Sequence, residues 1–556
     1  MDRRSALVLL AIFGTGVFLA GMELLITAVA LPSILDDLAD PNGTSAWIEL
    51  RKASWIINGY LLVYILTMPL AGRMTDLWGA RRPFLAALSL FVVGSALAGL
   101  SQTMDQLIAA RLVQGAGGGV LVPVGTAAAA HLFDGPSRPR ALGVIGALTF
   151  LGMAAGPFVG AAILGSIHPA DALAGAGLEA PWTDLLAPAW RYVFFINIPI
   201  GLVALLIGWA ASAGWDTPRR PGRIDVVGAI WFGLALLTGL VGLTLIGSTQ
   251  IAGGVADPTL VTAMLLVAAA ILTVVAVLHG LRRADPFLDP RLFTIKAFAA
   301  AAAVSLLTGY AFATAIIGGA VFVDRVLYGG PDEQRLALGA LAGATALGAL
   351  VSGFALRVLS LRLTTLVGLA LSIGGLVAMA MWTPDTDETT AAAALAVFGF
   401  GFGLTVTPRS TAAVEAAGRR AFGAASSVVT VARMIGMAIG LAILTAYGST
   451  TIDRLAEQVY ATPDAYLQFI PESLRDRPLR DPLVVGALEG WASREAARIM
   501  VGLFVVAAAV TAAAIPPSLV LGGRPRMLAA DRTEPDPSAE GGPGPDGLDT
   551  RPSAVL

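Results

Sequence analysis

The sequence has 556 residues, of which 56% are apolar and only 13% are charged, and its mean hydropathy is +0.77. An average soluble domain is about 25% charged, so this composition excludes a soluble protein. The net charge of −2 excludes a basic nucleic-acid-binding protein, and the absence of cysteine excludes disulfide and thiolate chemistry. The three histidines, His131, His168 and His279, form no spaced ligand motif, so no metal site is expected.

Hydrophobic stretches recur along almost the whole chain. A bilayer core about 30 Å thick is crossed by a helix of about 20 apolar residues. Fourteen such spans are predicted, beginning near Leu7, Ser54, Phe84, Gln106, Ala141, Tyr192, Ile224, Pro258, Ala297, Leu336, Leu363, Thr390, Phe422 and Ala496. The first is expected to end at Leu31-Pro32, and the lack of a small-residue cleavage site there favours a retained span over a signal peptide.

The positions of the cations predict the orientation of these spans. Cytoplasmic loops carry an excess of Arg and Lys, so a cytoplasmic N-terminus fits best. The cations assigned to cytoplasmic loops are Arg73, Arg81, Arg82, Arg138, Arg140, Arg219, Arg220, Arg223, Arg282, Arg283, Arg291, Lys296, Arg357, Arg362, Arg409, Arg419 and Arg420. The opposite loops hold few cations, Arg191 among them, beside many acids. An even number of spans places the C-terminus in the cytoplasm as well.

A long stretch without proline, Phe422 to Ala461, is predicted to form one continuous helix. At 1.5 Å per residue it would be about 60 Å long, which is twice the bilayer core. Its later apolar residues lie on one face, and 482–498 has a pattern suited to running back beside it. We therefore predict a helical pair that projects on the outer side of the membrane. The alternative is a flexible outer loop of about 45 residues.

The loop after the second span has a distinctive pattern of small and charged residues. It contains Gly72, Arg73, Asp76, Gly79, Arg81 and Arg82. The glycines permit a tight turn and a close approach of helices. The aspartate and the arginines are suited to form a charge latch at the inner surface. An ordinary positive-inside loop would explain the arginines but not the spacing of glycine and aspartate.

The fourth and fifth spans carry further patterns. Span four reads Arg111-x-x-Gln114-Gly115-x-x-x-Gly119, and an arginine inside a membrane costs at least about 2.5 to 3.5 kcal/mol, so it usually faces a partner or a cavity. Span five contains Gly152, Gly156, Pro157 and Gly160. Small residues at every fourth position allow helices to approach closely, and the proline frees a backbone carbonyl group at a bend.

In this order, the three motifs resemble those of the major facilitator superfamily. There the loop motif stabilises one state of the transport cycle, the span-four arginine is linked to proton coupling, and the span-five motif is characteristic of antiporters. Further segments resemble its fourteen-span drug:proton antiporters, namely Trp190-Arg191, Asn197-x-Pro199-x-Gly201, Asp225 with Gly228, Pro286-x-x-Asp289-x-Arg291-Leu292-Phe293, and Arg433-x-x-Gly436-x-x-x-Gly440.

The resemblance covers about residues 7–521 and implies an all-α integral membrane fold. It implies a six-helix bundle in 1–213, two inserted helices in 214–296 and a second six-helix bundle in 297–521, with the projecting segment at 448–495. A central cavity would open to each side of the membrane in turn. Residues 522–556 are expected to form a cytoplasmic tail, whose Pro-, Gly- and Asp-rich part predicts disorder.

Two features resemble mycobacterial multidrug and triacylglyceride exporters within that branch. One is a lengthened outer loop, Asp36 to Ala53, and the other is the projecting continuation of span thirteen. This resemblance implies a monomeric, multi-pass protein of a bacterial plasma membrane. Its partners would be membrane lipids, transported lipophilic compounds or lipids, and a periplasmic lipid-carrier lipoprotein.

Glu23 is the only carboxylate well inside a predicted span. Relatives usually have Asp at this position, followed two residues later by Thr, whereas this chain has Leu25. A carboxylate whose charge depends on burial and on a nearby cation is suited to load and release a proton, and Arg111 is expected at the same depth. Three interpretations stay open, which are proton coupling, a fixed structural pair with Arg111, and recognition of substrate charge. Some lipid-exporting relatives carry a second acid where this chain has Phe150.

The predicted function is secondary export of lipophilic compounds, driven by a proton gradient and without a cofactor. The cavity wall is expected to include Trp55, Tyr60, Gln114 and Phe150. Arg433 is expected either to gate or contact substrate, or to be a structural arginine. Drug and lipid substrates both stay open. The alternatives are a lipid transporter or flippase without proton coupling and a membrane-embedded lipid-modifying enzyme, but no His–carboxylate or acidic metal pair stands out in the sequence.

Overall fold

The computed structural model describes residues 3–38, 46–167, 169, 185–217, 219, 222–246, 258–418, 421–460, 465–478 and 480–523. Within them, fourteen helices are long and apolar enough to cross a membrane, as predicted. These helices are α1 (Arg3–Leu38), α2 (Ala46–Trp78), α3 (Arg81–Gly99), α4 (Met104–Leu132), α5 (Arg138–Ser166), α6 (Asn197–Ala211), α7 (Val226–Leu245), α8 (Pro258–Arg282), α9 (Lys296–Arg325), α10 (Pro331–Ala355), α11 (Leu361–Met379), α12 (Glu388–Ala417), α13 (Phe422–Tyr460) and α14 (Pro482–Ala512). The sixth membrane span, Arg191–Ala211, consists of a short helix, Arg191–Phe195, followed by α6.

The first six and the last six helices form two halves. In the first half α1 packs against α5, and both α2 and α3 pack against α4. In the second half α9 packs against α13, and α10 and α11 pack against α12. The halves meet mainly where α2 contacts α13 and where α5 contacts α10. The predicted limits of the halves in the sequence stay predictions.

Helices α7 and α8 lie at the edge of the molecule and pack against each other. Helix α7 also contacts α2 and α13, whereas none of the most apolar stretch of α8 is buried. Asp225 caps α7, because its carboxylate accepts from Gly228 N at 3.1 Å, and it pairs with His279 Nε2 at 3.0 Å. Burial raises the pKa of Asp225, but the hydrogen bonds from Gly228 and His279 outweigh it and leave the pKa below its ordinary value.

A cavity of about 520 Å³ lies where α7 meets α2, α9 and α13. Its lining side chains are all apolar, and they are Pro69, Phe232, Leu288, Phe293, Ala299, Ala302, Ala303, Leu306, Leu307, Val428, Val431, Ala432 and Ile435. The four residues predicted to line a substrate cavity are not among them.

Two predicted boundaries on the first two helices are wrong. Helix α1 continues through Pro32 to Leu38, because the proline removes only one backbone hydrogen bond from a helix that is otherwise intact. Helix α2 begins at Ala46, so the predicted loop from Asp36 to Ala53 is helical at both ends. Only its middle, 39–45, lies outside the described residues.

Because α1 crosses the membrane once, the molecule has a near side, where α1 begins, and a far side, where α1 ends. The near side is the predicted cytoplasmic side. Helix α13 begins on the near side and runs for 39 residues, or about 58 Å. At the far side, Phe469 packs on Trp491 with ring centroids 4.4 Å apart, and Ser493 Oγ donates to Val326 O at 3.0 Å. The predicted disordered tail lies outside the described residues from 524 onward.

Four arginines that we assigned to loops are instead buried, namely Arg73, Arg138, Arg191 and Arg409. Arg409 lies inside α12, which continues past Pro408 to Ala417, and its side chain is 2% exposed. Arg191 is also buried and donates from Nη1 to the carbonyl oxygens of Gly99 at 2.9 Å and Ser101 at 2.5 Å. Arg191 therefore closes the far end of α3 rather than facing water.

Candidate functional site

Glu23 of α1 lies fully buried at the junction of three helices. Arg111 of α4 forms a salt bridge with its Oε1 atom. Asn197, the first residue of α6, donates from Nδ2 to Oε2 at 2.7 Å. Thr27 Oγ1, one turn further along α1, donates to Oε1 at 3.2 Å. Both carboxylate oxygens are thus hydrogen-bonded, as a charged group inside a protein requires.

Arg111 is held by a second set of partners. It donates from Nε to Ile56 O at 3.1 Å and from Nη1 to Gln114 Oε1 at 2.6 Å. Its guanidinium carbon lies 4.1 Å from the ring centre of Tyr60. Gln114 Nε2 in turn donates to Ser95 Oγ at 2.7 Å. A change in the charge of Glu23 therefore acts on α1, α2, α3, α4 and α6 together.

The glycines of the span-five motif place α5 directly on the turn of α1 that carries Glu23. A Cβ atom at Gly152 would collide with Phe18 O, and one at Gly156 would lie 2.7 Å from Met22 O. Pro157 lies between Gly156 and Gly160, inside α5. Real Cβ atoms essentially never approach a backbone oxygen so closely, so larger residues there would displace α1.

On the near side, Asp76 of α2 caps a helix in the other half. Its carboxylate accepts from the backbone N–H groups of Gly423 at 2.8 Å and Ala424 at 2.9 Å, in the first turn of α13. Gly72 lies against Gly423, so the two backbones touch. Arg73 Nη2 lies 2.5 Å from Asp285 Oδ1, in the segment between α8 and α9. These residues join the halves and the inserted pair at one level.

The rest of the loop motif binds within the first half. Gly79 has φ +83°, and a Cβ there would collide with the Asp216 carboxylate. That carboxylate accepts from Arg81 N at 3.1 Å, and Arg81 Nε donates to Ser212 Oγ at 2.9 Å. Arg82 is exposed. Arg81 therefore ties the turn between α2 and α3 to the end of α6.

Other contacts close the near side between the halves. Ser426 Oγ of α13 donates to Pro123 O of α4 at 3.1 Å, and Phe422 packs on the ring of His131 at 4.6 Å. A Cβ at Gly353 of α10 would lie 2.7 Å from Pro139 O of α5. The backbones of the two halves therefore touch where Gly72 meets Gly423 and where Gly353 meets Pro139. These contacts close the near side of the molecule.

The predicted cavity residues fall in three different environments. Trp55 is 42% exposed on α2. Tyr60 and Gln114 are buried in the Glu23–Arg111 network. Phe150 is buried against Phe312 and Phe402, with ring centroids 5.5 Å apart in both cases. Their part in substrate binding stays a prediction.

Arg433 lies in the same region as Phe150. Its guanidinium carbon is 5.3 Å from the Phe150 ring centre, and its side chain is 7% exposed.

Sequence reasoning missed three residues of this central region. Asn197 and Thr27 bind Glu23 directly, and Arg409 lies among the buried aromatic rings. A polar residue inside an apolar span was a usable sign for Asn197. Arg409 precedes the end of the twelfth span, which was a sign that it lies inside the membrane. We instead assigned it to the cytoplasmic loop because Arg419 and Arg420 follow it closely in the sequence.

The sequence matches the family model of the Major Facilitator Superfamily over residues 13–441. The chain belongs to this superfamily. It is accordingly a multi-pass membrane transporter, and its fourteen spans form the all-helical fold of that family.

Two curated relatives differ in the substrates that their names state. A triacylglyceride transporter of Mycolicibacterium hassiacum is 31% identical over 478 residues, covering 82% of this chain and 83% of the relative. Multidrug resistance protein 3 of Bacillus subtilis is 26% identical over 436 residues, covering 77% of each chain.

Among solved structures, the human organic anion transporter MFSD10 superposes with a TM-score of 0.57 at 14% identity, covering 92% of this chain and 100% of that one. The proton:xylose symporter XylE gives a TM-score of 0.56 at 12% identity, covering 93% and 97%. These last two support the fold alone.

Proposed function

We propose that this transporter is a secondary exporter of lipophilic compounds that works by alternating access and is driven by protons. The names of the two relatives support lipids or drugs as the cargo. The proton gradient supplies the energy, so no cofactor is needed. The membrane is a bacterial plasma membrane, with both termini in the cytoplasm and the near side facing it. In this assignment the structure is closed toward the cytoplasm.

The observation that carries the proposal is the buried contact of Glu23 with Arg111 and Asn197. Protonation of Glu23 would remove its charge and leave Arg111 as a buried cation without a counterion. Breaking a buried ion pair in this way costs about 3 to 5 kcal/mol, so the surrounding helices are driven toward another arrangement. Because the partners of Glu23 come from α4 and α6, that rearrangement spreads through the first half.

The test is substrate flux in proteoliposomes under an imposed pH gradient, with a fluorescent lipid and ethidium assayed side by side. Glu23→Gln keeps the shape and hydrogen-bonding capacity but cannot ionise. We expect it to lose gradient-driven accumulation and to keep downhill exchange. Glu472→Gln is the matched control, because that side chain is exposed and lies in a far-side loop.

Two results would contradict the coupling role. Transport by Glu23→Gln as fast as wild type, with the gradient still effective, would show that the coupling proton binds elsewhere. Loss of downhill exchange together with a lowered melting temperature would indicate the fixed structural pair. Recovery of chemically modified lipid from the vesicles would favour the rival proposal of a membrane-embedded enzyme.

We also propose that the far-side ends of α13 and α14 shield a lipid as it leaves the membrane. Helix α13 is about twice as long as the bilayer core, and α14 begins with a segment that packs against the turn after α9. A water-insoluble cargo needs such cover until a periplasmic carrier takes it. A drug pump needs none, so this feature favours lipid as the cargo.

A further inference from the structure

Two arginines in the second half are buried without a carboxylate. Arg409 lies on α12 and Arg433 on α13, and both are more than nine-tenths buried. Arg409 Nη1 donates to Thr308 Oγ1 at 2.5 Å, and Arg433 Nε has no hydrogen-bond partner. In the part of the chain that the structure describes, neither guanidinium lies within 4.0 Å of a carboxylate oxygen.

Both guanidinium groups lie against one cluster of aromatic rings. The Arg409 guanidinium carbon is 5.1 Å from the Phe402 ring centre, and that of Arg433 is 5.3 Å from the Phe150 ring centre. The rings of Phe150 and Phe402 are 5.5 Å apart. Because Phe150 belongs to α5 and Phe402 to α12, the cluster bridges the two halves, where an alternating-access cavity opens.

The charges of the membrane interior do not balance around this cluster. Glu23 and Arg111 neutralise each other, so Arg409 and Arg433 leave two uncompensated positive charges among the described residues. Contact with a ring face compensates a cation by only about 0.5 to 2 kcal/mol, whereas an unpaired buried charge costs several times more. The pair is therefore suited to hold an anion, and it repels a cation that enters the same space.

We propose that Arg409 and Arg433 bind the anionic headgroup of an amphiphile whose apolar body packs on Phe150 and Phe402. Guanidinium groups bind carboxylate and phosphate oxygens through paired hydrogen bonds, so either headgroup fits. This inference rests on the proposed function and narrows it. Lipids that carry negative charge are preferred cargo, and permanently cationic drugs are disfavoured.

The test compares cargoes that share a body and differ in charge. Fluorescent phosphatidate and fluorescent diacylglycerol have the same acyl chains, and only the first has a phosphate; ethidium supplies the cation. We expect wild-type protein in proteoliposomes to move phosphatidate about tenfold faster than diacylglycerol and ethidium slowest. Arg433→Gln and Arg409→Gln should bring the phosphatidate-to-diacylglycerol ratio toward one, and the matching lysine variants should retain most of it.

Arg498→Gln is the matched control, because the Arg498 side chain is 77% exposed on α14, and it should leave the ratio unchanged. If the glutamine variants fail to fold, competition on wild-type protein decides. Unlabelled phosphatidate should block uptake of the fluorescent lipid, while a cationic lipid with the same chains should not. Competition by inorganic phosphate alone would overturn the amphiphile assignment in favour of a small-anion site.

The outcomes also separate this inference from the proposed function. Wild-type flux that is equal for all three cargoes, or fastest for ethidium, would refute the charge preference while transport itself stands. Absence of gradient-driven flux for every cargo would refute the proposed function and this inference with it.

Discussion

The near-side contact of Asp76 with α13 gives the sharpest test of how the halves communicate. Asp76→Asn keeps the size of the side chain but removes its charge and one of its two acceptor oxygens. Each hydrogen bond from a backbone N–H to a charged acceptor contributes about 1.5 to 3 kcal/mol, and a negative charge at a helix N-terminus adds about 0.3 to 1 kcal/mol. Both bonded N–H groups lie in the first turn of α13, and Asp76 is buried, so solvent screens these terms little.

Loss of one such bond and of the charge weakens near-side closure by about 2 to 4 kcal/mol. Since every 1.4 kcal/mol is a factor of ten, the ratio of closed to open protein should fall about 30- to 700-fold. The chain contains no cysteine, so a labelled pair can be introduced without removing any other. Cysteines in place of Arg4 and Arg357, exposed near-side residues of opposite halves, allow the distance to be measured by pulsed electron spin resonance.

We expect Asp76→Asn to shift the distance distribution toward the longer, open-near-side population. Asp289→Asn is the matched control, because Asp289 is a partly exposed near-side carboxylate that caps only its own turn. The reasoning is refuted if Asp76→Asn and Asp289→Asn both give the wild-type distribution.

Two further predictions concern α5 and the far side. Gly156→Ala places a Cβ 2.7 Å from Met22 O and should destabilise the protein by about 1 to 3 kcal/mol, which lowers the melting temperature. The control is Gly374→Ala on α11, which has open space around it and should be neutral or stabilising. Equal melting temperatures for the two variants would argue against the close α1–α5 packing. Replacing 452–494 by a short linker should abolish lipid delivery to an external acceptor while sparing ethidium efflux, and equal loss of both would indicate a general folding role.

The number of spans was predictable because each depends on a local property, an apolar run of sufficient length. The depth of a residue along its helix follows from the same count, which is why Glu23 and Arg111 were expected at one level, as the structure has them. Contacts that depend on how helices rotate were not predictable. Asn197 and Glu23 are 174 positions apart in the sequence, and the residues around Asn197 do not indicate which helix its side chain faces.

Errors arose where a helix continued past an expected boundary. Pro32 is a helix breaker by its chemistry, yet α1 passes through it. Arg409 was assigned to a loop together with Arg419 and Arg420, whereas α12 continues past Pro408 to Ala417 and buries it. In both cases the surrounding helices stabilise a segment that its own sequence would end.

The contact between Asp76 and α13 has a consequence for how the two halves evolve. The carboxylate binds main-chain N–H groups, which every residue except proline provides, so position 424 is free to change its side chain without affecting the bond. Co-variation between the halves would therefore miss this contact. Selection must instead keep glycine at positions 72 and 423, because a Cβ atom at either would collide with the backbone of the other helix.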